Sequence, residues 1–310
     1  MVAPPGPEAA GSWDADALRR LSRLSLDYLV DSIELSRAGG DIIDRLLIAA
    51  ILDANVAPVK QDVGLQFAYG ALDDAPPEGV RRPVSINAVA HSLRLPFETV
   101  RRRVARLARQ GVFVMTPRGV LVSQTRLESP AFKALSLARY ERLRRFYSDL
   151  TDAQALPPIP IAGSETVGDV IDLNGVSPPV RVANRVLAEY LMRCIEAVTS
   201  RVGHPVDGLL LLHVARANLP PDGEAAGPLV PVRTAVLTDL MALSPEIVRR
   251  RLLTLERAGY CRRSREGTVL GPAVVEHPAA AALLQENAGN IERLFNRLAR
   301  LGVLAAWAES

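Results

Sequence analysis

The sequence predicts a mainly α protein with two small β-hairpins, built from two tandem copies of one module plus flanking helices. Three observations carry this. VRRR stands at residues 100–103 and again at 248–251, 148 positions further on. The surroundings repeat with it: residues 83–111 (PVSINAVAHSLRLPFETVRRRVARLARQG) laid over 231–259 (PVRTAVLTDLMALSPEIVRRRLLTLERAG) give 11 identities in 29 positions without a gap. Within each copy, apolar residues recur at helical spacing and then alternate around a turn, so the elements run helix, helix, hairpin.

The repeat extends upstream. Tyr28, Leu29, Ile33 and Glu34 match Tyr190, Leu191, Ile195 and Glu196, while Asp44, Ala54 and Asn55 match Asp207, Ala217 and Asn218. The offset there is 162–163, which leaves the first copy about 15 extra residues between Pro58 and Pro83. A module of roughly 100 residues is too long for a solenoid repeat. The expected organisation is a disordered N-terminus (1–13), a first module with flanking helices (14–153), a Pro/Gly-rich linker (154–180) and a second module with a C-terminal helix (181–310).

Taken in order, residues 16–37 and 182–201 are matching amphipathic helices that open the copies. Residues 41–55 (DIIDRLLIAAILDAN) are apolar on nearly all sides and predict a buried helix. Ser85 caps a short helix reaching Leu93, with Ile86, Val89 and Ala90 inward. After a turn at 94–96, a helix over about 97–110 buries Val100, Val104 and Leu107 and stops at Gly111. Residues 112–115 and 120–122 are strands around Thr116-Pro117-Arg118-Gly119.

The next long segment, 126–151, predicts one helix whose Leu135, Leu137, Tyr140, Leu143 and Tyr147 form no single stripe, so it touches two surfaces. In the linker, Val167, Val170, Ile171 and Leu173 are apolar enough to pack as a short element. The second copy punctuates its elements more cleanly. Ser244 is a cap, Pro245 the first helical position and Glu246 a first-turn acid for a helix over about 245–258. Its strands flank the basic turn at 262–267. Residues 278–304 predict a helix with Leu284, Ile291, Leu294, Leu298 and Leu301 at 3–4 spacing, either a homodimer seam or a cover for its own module. Helix, helix, turn, helix and hairpin is the order of a winged helix-turn-helix, here as two tandem domains.

Two stretches, LRLPFETVRRRVARLARQGVF and MALSPEIVRRRLLTLERAGYC, resemble the recognition-helix segment of winged helix-turn-helix bacterial transcription regulators, GntR-like and MarR-like. The resemblance covers residues 40–124 and 205–270, about half the chain. It implies a sequence-specific regulator of double-stranded DNA in which Thr99, Arg101 and Arg249 touch the DNA. The pattern departs at Pro96-Phe97 and Ser244-Pro245, where the family's turn residues are often basic or hydroxylated. Thr99 also becomes Ile247, so the two modules are not expected to read the same bases.

The residues point the same way on their own. With Val100, Val104 and Leu107 inward, the outward face carries Glu98, Arg102, Ala105, Arg106 and Arg109, with Arg101 on its flank. Glu246, Arg249 and Arg250 hold the matching places in the second copy. In a major groove an arginine bonds guanine bidentately, a glutamate accepts from cytosine N4 and an alanine rests on a thymine methyl. Arg118, Arg262, Arg263 and Arg265 in the wings suit phosphates.

Composition narrows the class. At 48% hydrophobic and 23% charged, the chain is an ordinary soluble globular type. Net charge is a modest +3, but 37 basic residues include only Lys60 and Lys133 as lysines. The arginines crowd at 101–109, 249–257 and 262–265, where a phosphate-binding face needs them. Cys194 and Cys261 alone exclude a disulfide framework and multi-cysteine zinc motifs, and point to a reducing compartment. The first residues lack a basic start before an apolar core, and the apolar runs are too short to span a bilayer, so a cytoplasmic, nucleoid-associated protein without a membrane partner is expected.

His91, His204, His213 and His277 lack metal-ligand spacing, and Gly163-Ser164-Glu165-Thr166 lacks the strand-turn-helix setting of a catalytic serine. No Gly-rich phosphate loop occurs. The expectation is therefore no catalysis, no metal and no cofactor, with no effector ligand assigned. Two other functions compete: a plasmid-type replication initiator binding DNA repeats, and a winged-helix scaffold that binds protein.

Overall fold

The computed structural model describes residues 14–160, 178–219, 229–275 and 278–308. Residues 1–13 and the apolar residues Val167, Val170, Ile171 and Leu173 lie outside the described residues. The first half opens with α1 (Ala15–Leu35), where the Ala17 amide donates to the Asp14 carboxylate. A 3-10 turn (Arg37–Gly39) leads to α2 (Ile42–Asn55), whose Asp41 cap accepts from the Ile43 and Asp44 amides. The extra residues of this half build α3 (Ala57–Gln61), α4 (Val63–Ala68) and a second 3-10 turn (Glu78–Val80). Next come α5 (Ile86–Ser92), capped by Ser85, α6 (Phe97–Arg109), and an antiparallel hairpin of β1 (Phe113–Thr116) and β2 (Gly119–Val122).

The segment expected as one helix breaks in two, α7 (Gln124–Glu128) and α8 (Pro130–Asp152). Pro130 has no amide proton and bars the helical conformation from the residue before it. Ser129 is accordingly extended and caps α8, accepting from the Phe132 amide. The helix also has a clean stripe after all: Phe132, Ser136, Tyr140, Leu143, Phe146 and Leu150 are buried, whereas Leu137 is exposed.

The second half repeats the order. It runs α9 (Val180–Val202), α10 (Pro205–Asn218), α11 (Thr234–Met241), α12 (Pro245–Arg257), then β3 (Cys261–Arg263) paired with β4 (Thr268–Leu270). It closes with α13 (Pro272–Val275), α14 (Pro278–Arg300) and α15 (Val303–Ala308). The expected C-terminal helix stops before Gly302, whose φ of +73° turns the chain so that Trp307 reaches Tyr140 and Tyr147. The chain is thus mainly helical, with two two-stranded sheets among the described residues.

Local geometry recurs at matched positions. Val84 bridges Val120, and Val232 bridges Thr268, adding a third short segment to each hairpin. Gly119 and Gly267, at φ +134° and +151°, lie so close to Val84 and Val232 that a Cβ would come within 2.4 and 2.6 Å of their carbonyl oxygens. Only glycine fits there.

The halves share their interior. One core joins α2, α5, α6 and the first hairpin to α10, α11, α12 and the second hairpin. The other joins α1 and α8 to α9 and α14. In this four-helix arrangement α1 packs on α8 and α14, while α9 packs on α14 and α8, so each half meets the other through equivalent elements. The equivalent residues Tyr28 and Tyr190 touch each other, ring centroids 6.4 Å apart, where a pseudo-twofold axis would pass. Arg216 of α10 crosses to α1, reaching Asp27, Asp31 and Glu34 at 3.2, 2.7 and 3.4 Å.

Of the two places expected for the α14 stripe, it lies against its own chain. Ile291, Leu294 and Leu298 are 0% exposed and Leu301 is 7% exposed within the single chain. These four side chains pack into the core that α14 forms with α1, α8 and α9, while Leu284, the first residue of the stripe, is 38% exposed.

His213, on α10 at this junction, is buried, with Nε2 unpartnered and Nδ1 4.0 Å from Glu34. Burial, then the Arg216 and Arg45 charges, push it from 6.5 down to about 4. The folded chain keeps this ring neutral, while the unfolded chain protonates it near its ordinary value. Its contribution is complete above pH 6.5 and is lost as pH falls toward 4. Between pH 7 and pH 5 the parent should lose about 2 kcal/mol more than His213→Gln in urea denaturation. Equal losses would rule this out. The nearby His204, pushed down to about 4, and Asp207, pushed up to about 6 by burial, titrate in both proteins and cancel in the difference.

Candidate nucleic-acid interface

Each VRRR triplet divides its labour the same way. Val100, Val104 and Leu107 seat α6 on the core, and Val248, Leu252 and Leu255 seat α12. That leaves the first two arginines of each triplet outward and turns the third inward. Arg103 donates to Asp41 and Asp44 at 2.8 and 2.7 Å. Arg251, its counterpart, sits 2.8 Å from His204 Nε2 and 3.5 Å from the buried Asp207. His204 and Asp207 are the second-half counterparts of Asp41 and Asp44. The third arginine is therefore a brace between the outward helix and the core helix beneath it, a role the sequence left unassigned.

The predicted residues fall into three groups. Arg102, Arg250, Arg118, Arg262 and Arg265 are exposed, and none has a side-chain partner among the described residues. Arg101 and Arg249 are also exposed but pair within their own helix. Arg101 forks onto Glu98 at 2.8 and 2.6 Å, and Arg249 lies 3.8 Å from Glu246. The hydrogen bond from Arg101 holds the Glu98 carboxyl below its ordinary range. Such exposed pairs are weak and can exchange for a phosphate or base edge. Thr99 is half-buried, as is its counterpart Ile247.

The third group folds back. Arg106 reaches Asp44 at 2.5 Å, joining Arg103 on a carboxylate that is only 3% exposed. Position 254 in the second half is a threonine, so Asp207 has one arginine where Asp44 has two. Arg263 returns to Glu256 at 3.0 Å and fixes β3 to α12. Arg109 and Arg257 extend the exposed basic face. Phe97, at the start of α6, and Met115, on β1, are half-exposed apolar side chains.

Among the described residues no cluster of His, Cys, Asp or Glu is arranged to hold a metal ion, and no helix is long and apolar enough to cross a membrane. Burial pushes the thiols of Cys194 and Cys261 up to about 12 and about 11, so neither is a thiolate at neutral pH. His91 is exposed, and Ser164 and His277 lie outside the described residues. No protein-family model matches the chain, no curated protein is detectably similar to it in sequence, and no solved structure matches its fold.

Proposed function

We propose that each half is a winged helix-turn-helix module and that the chain is a sequence-specific regulator of transcription binding double-stranded DNA. In this reading α6 and α12 enter the major groove and the two hairpins rest on the backbone. One observation carries it: in both halves the first two arginines of the triplet are left outward and the third is braced inward. Solubility alone requires no such repeated division of roles. The residues offered are those that suit grooves: arginines for guanine, Glu98 and Glu246 for cytosine, wing arginines for phosphate.

Two heads fixed by a shared core replace the dimerisation on which such regulators usually depend. The heads differ, with Thr99 against Ile247 and Arg106 against Thr254, so an asymmetric site with two unlike half-sites about one helical turn apart, or a multiple of it, is expected. Point variants in the full chain test this, because separated halves would expose the common interior. Arg102→Ala and Arg250→Ala should each weaken a selected site by about 1–3 kcal/mol and relax specificity at different positions. Arg118→Ala and Arg262→Ala should weaken all sequences alike and lower the salt slope by about one. Gel-shift titrations at several salt concentrations separate these outcomes. Unchanged affinity with Arg101, Arg102, Arg249 and Arg250 all replaced by alanine would overturn the DNA reading and favour a protein-binding scaffold. Recovery of spaced origin repeats as the selected sites would favour an initiator.

A further inference from the structure

A cavity of about 150 Å³ lies where α1, α2 and α8 of the first half meet α9 and α10 of the second. An apolar protein cavity of that size is known to hold one benzene ring. Its wall is mostly apolar, with Leu29, Leu187, Leu191 and Ile195 among the lining residues. Four arginines also reach it: Arg45, Arg139, Arg181 and Arg185.

These arginines are unusual in what they lack. Arg45, Arg181 and Arg185 are only 6–7% exposed. Arg45 donates to the Ile33 and Leu240 carbonyls, Arg181 to those of Leu72 and Leu127, and Arg185 to those of Tyr69 and Gln66. Arg139 donates to the Ser36 hydroxyl at 2.6 Å. None of the four meets a carboxylate at ion-pair distance among the described residues, and the Nε of Arg45, Arg139 and Arg185 is buried without a partner. Asp53, also on the wall, is already held by Lys60 at 2.9 Å. Burial lowers all four arginines from their ordinary value, Arg185 to about 10, and a guanidinium keeps its proton inside proteins. Carbonyl dipoles solvate these charges but do not neutralise them, and an uncompensated buried charge is destabilising.

The other half supplies a comparison. Arg19 and Arg23 stand 162 positions before Arg181 and Arg185. Arg19 pairs with Asp16, and Arg23 with Asp27 at 3.0 Å. In the second half the place of Asp16 is taken by Pro178. The place of Asp27 is taken by Glu189, which is drawn away to Arg297 and Lys60 at 2.5 and 3.3 Å. Among the described residues, the duplicated positions carry ion pairs on one side and none on the other, where Asp73, Asp74 and Glu128 act on Arg181 only from beyond ion-pair distance.

We propose that this cavity binds a small organic monocarboxylate, its acid group taken by the guanidinium groups of the wall and its apolar body lying on the leucines that line it. A single acid group with one ring-sized body matches both the volume and the wall. A phosphate offers nothing to the apolar surface, and a neutral molecule leaves the guanidinium groups without a counter-ion. Because the wall arginines come from both halves, the ligand lies between them.

The test uses the full chain without DNA, so it stands or falls separately from the DNA-binding reading. Benzoate and hexanoate are compared with benzyl alcohol, hexanol and inorganic phosphate by thermal unfolding and calorimetric titration. Saturable stabilisation by at least one acid, absent with its alcohol and with phosphate, is the expected result. Arg139→Gln and Arg185→Gln should each weaken binding of that acid at least tenfold without lowering the ligand-free melting temperature. Arg19→Gln, at the neutralised counterpart, should bind as the parent does. Equal shifts with acids and alcohols, no shift with either acid, or full acid binding by both glutamine variants would overturn the proposal. The acid–alcohol comparison needs only the parent chain and decides the matter even if a variant fails to fold.

Discussion

Leu294→Glu should weaken the fold of the whole chain instead of releasing a partner. Leu294 is 0% exposed and belongs to the core that joins α1 and α8 to α9 and α14. A neighbouring residue, Phe295, packs across the halves on Phe146 and Tyr147, with centroids 5.8 and 5.0 Å apart. Tyr28, Leu143 and Phe146, all from the first half, are fully or almost fully buried in the same cluster. A glutamate there loses the leucine's apolar burial and must either carry an unpaired charge inside or protonate, a loss of about 4 kcal/mol or more. That is a large share of a domain's total stability. Circular dichroism and urea denaturation should show both halves melting in one weakened transition, since α14 covers both. A variant that keeps its helical signal and merely halves its sedimenting mass would restore the dimer seam and refute the shared core.

The contrast shows what the sequence carries. Helix caps, turn glycines and core stripes follow short-range rules, so Ser85, Ser244 and Gly111 could be placed from their neighbours alone. The stripe of α14 was equally legible as a buried face. Which surface buries it was not, because a 3–4 spacing is the same for a helix facing its own chain or another. The stripe of α8 was missed for a different reason. Leucine and tyrosine alone do not mark this face, because Phe132, Phe146 and Ser136 complete it, the last a small polar residue that is only 5% exposed. At the candidate interface, Arg102, Arg103 and Arg106 look alike in a helix of arginines. Only the fold brings Asp41 and Asp44, some 60 positions away, beneath two of the three. The cavity arginines are scattered from 45 to 185 and gave no local signal.

Asn55→Ala and Asn218→Ala should each cost about 2 kcal/mol, although neither residue touches the candidate DNA face. Each ends the core helix of its half and is nearly or wholly buried. Asn55 donates from Nδ2 to the carbonyls of Arg82 and Val120 at 2.9 and 3.0 Å, while its Oδ1 accepts from the Val122 amide at 2.9 Å. Asn218 does the same with one bond fewer, donating to Val230 at 2.6 Å and accepting from Leu270 at 2.7 Å. An asparagine amide supplies two donors and an acceptor in one plane, which is what a hairpin edge demands of a helix end beside it. Alanine would strand two backbone groups in each half, because the Val120 carbonyl keeps the Val84 amide as a donor, each stranded group costing about 1 kcal/mol or more when left buried. Asn55→Asp is no remedy, since a carboxylate would face two carbonyl oxygens and donate to neither.

The damage should be local before it is global. Amide hydrogen exchange at Val122 should accelerate in Asn55→Ala, and at Leu270 in Asn218→Ala, with the other hairpin unaffected. If the proposed DNA reading holds, each variant should also weaken only the half-site its own hairpin serves. Equal acceleration in both hairpins, or a stability change below about 0.5 kcal/mol, would show that the asparagines do not anchor the hairpins. The position of each hairpin is set by a core asparagine found at matching places in both halves, whereas positions 99 and 247, and 106 and 254, differ.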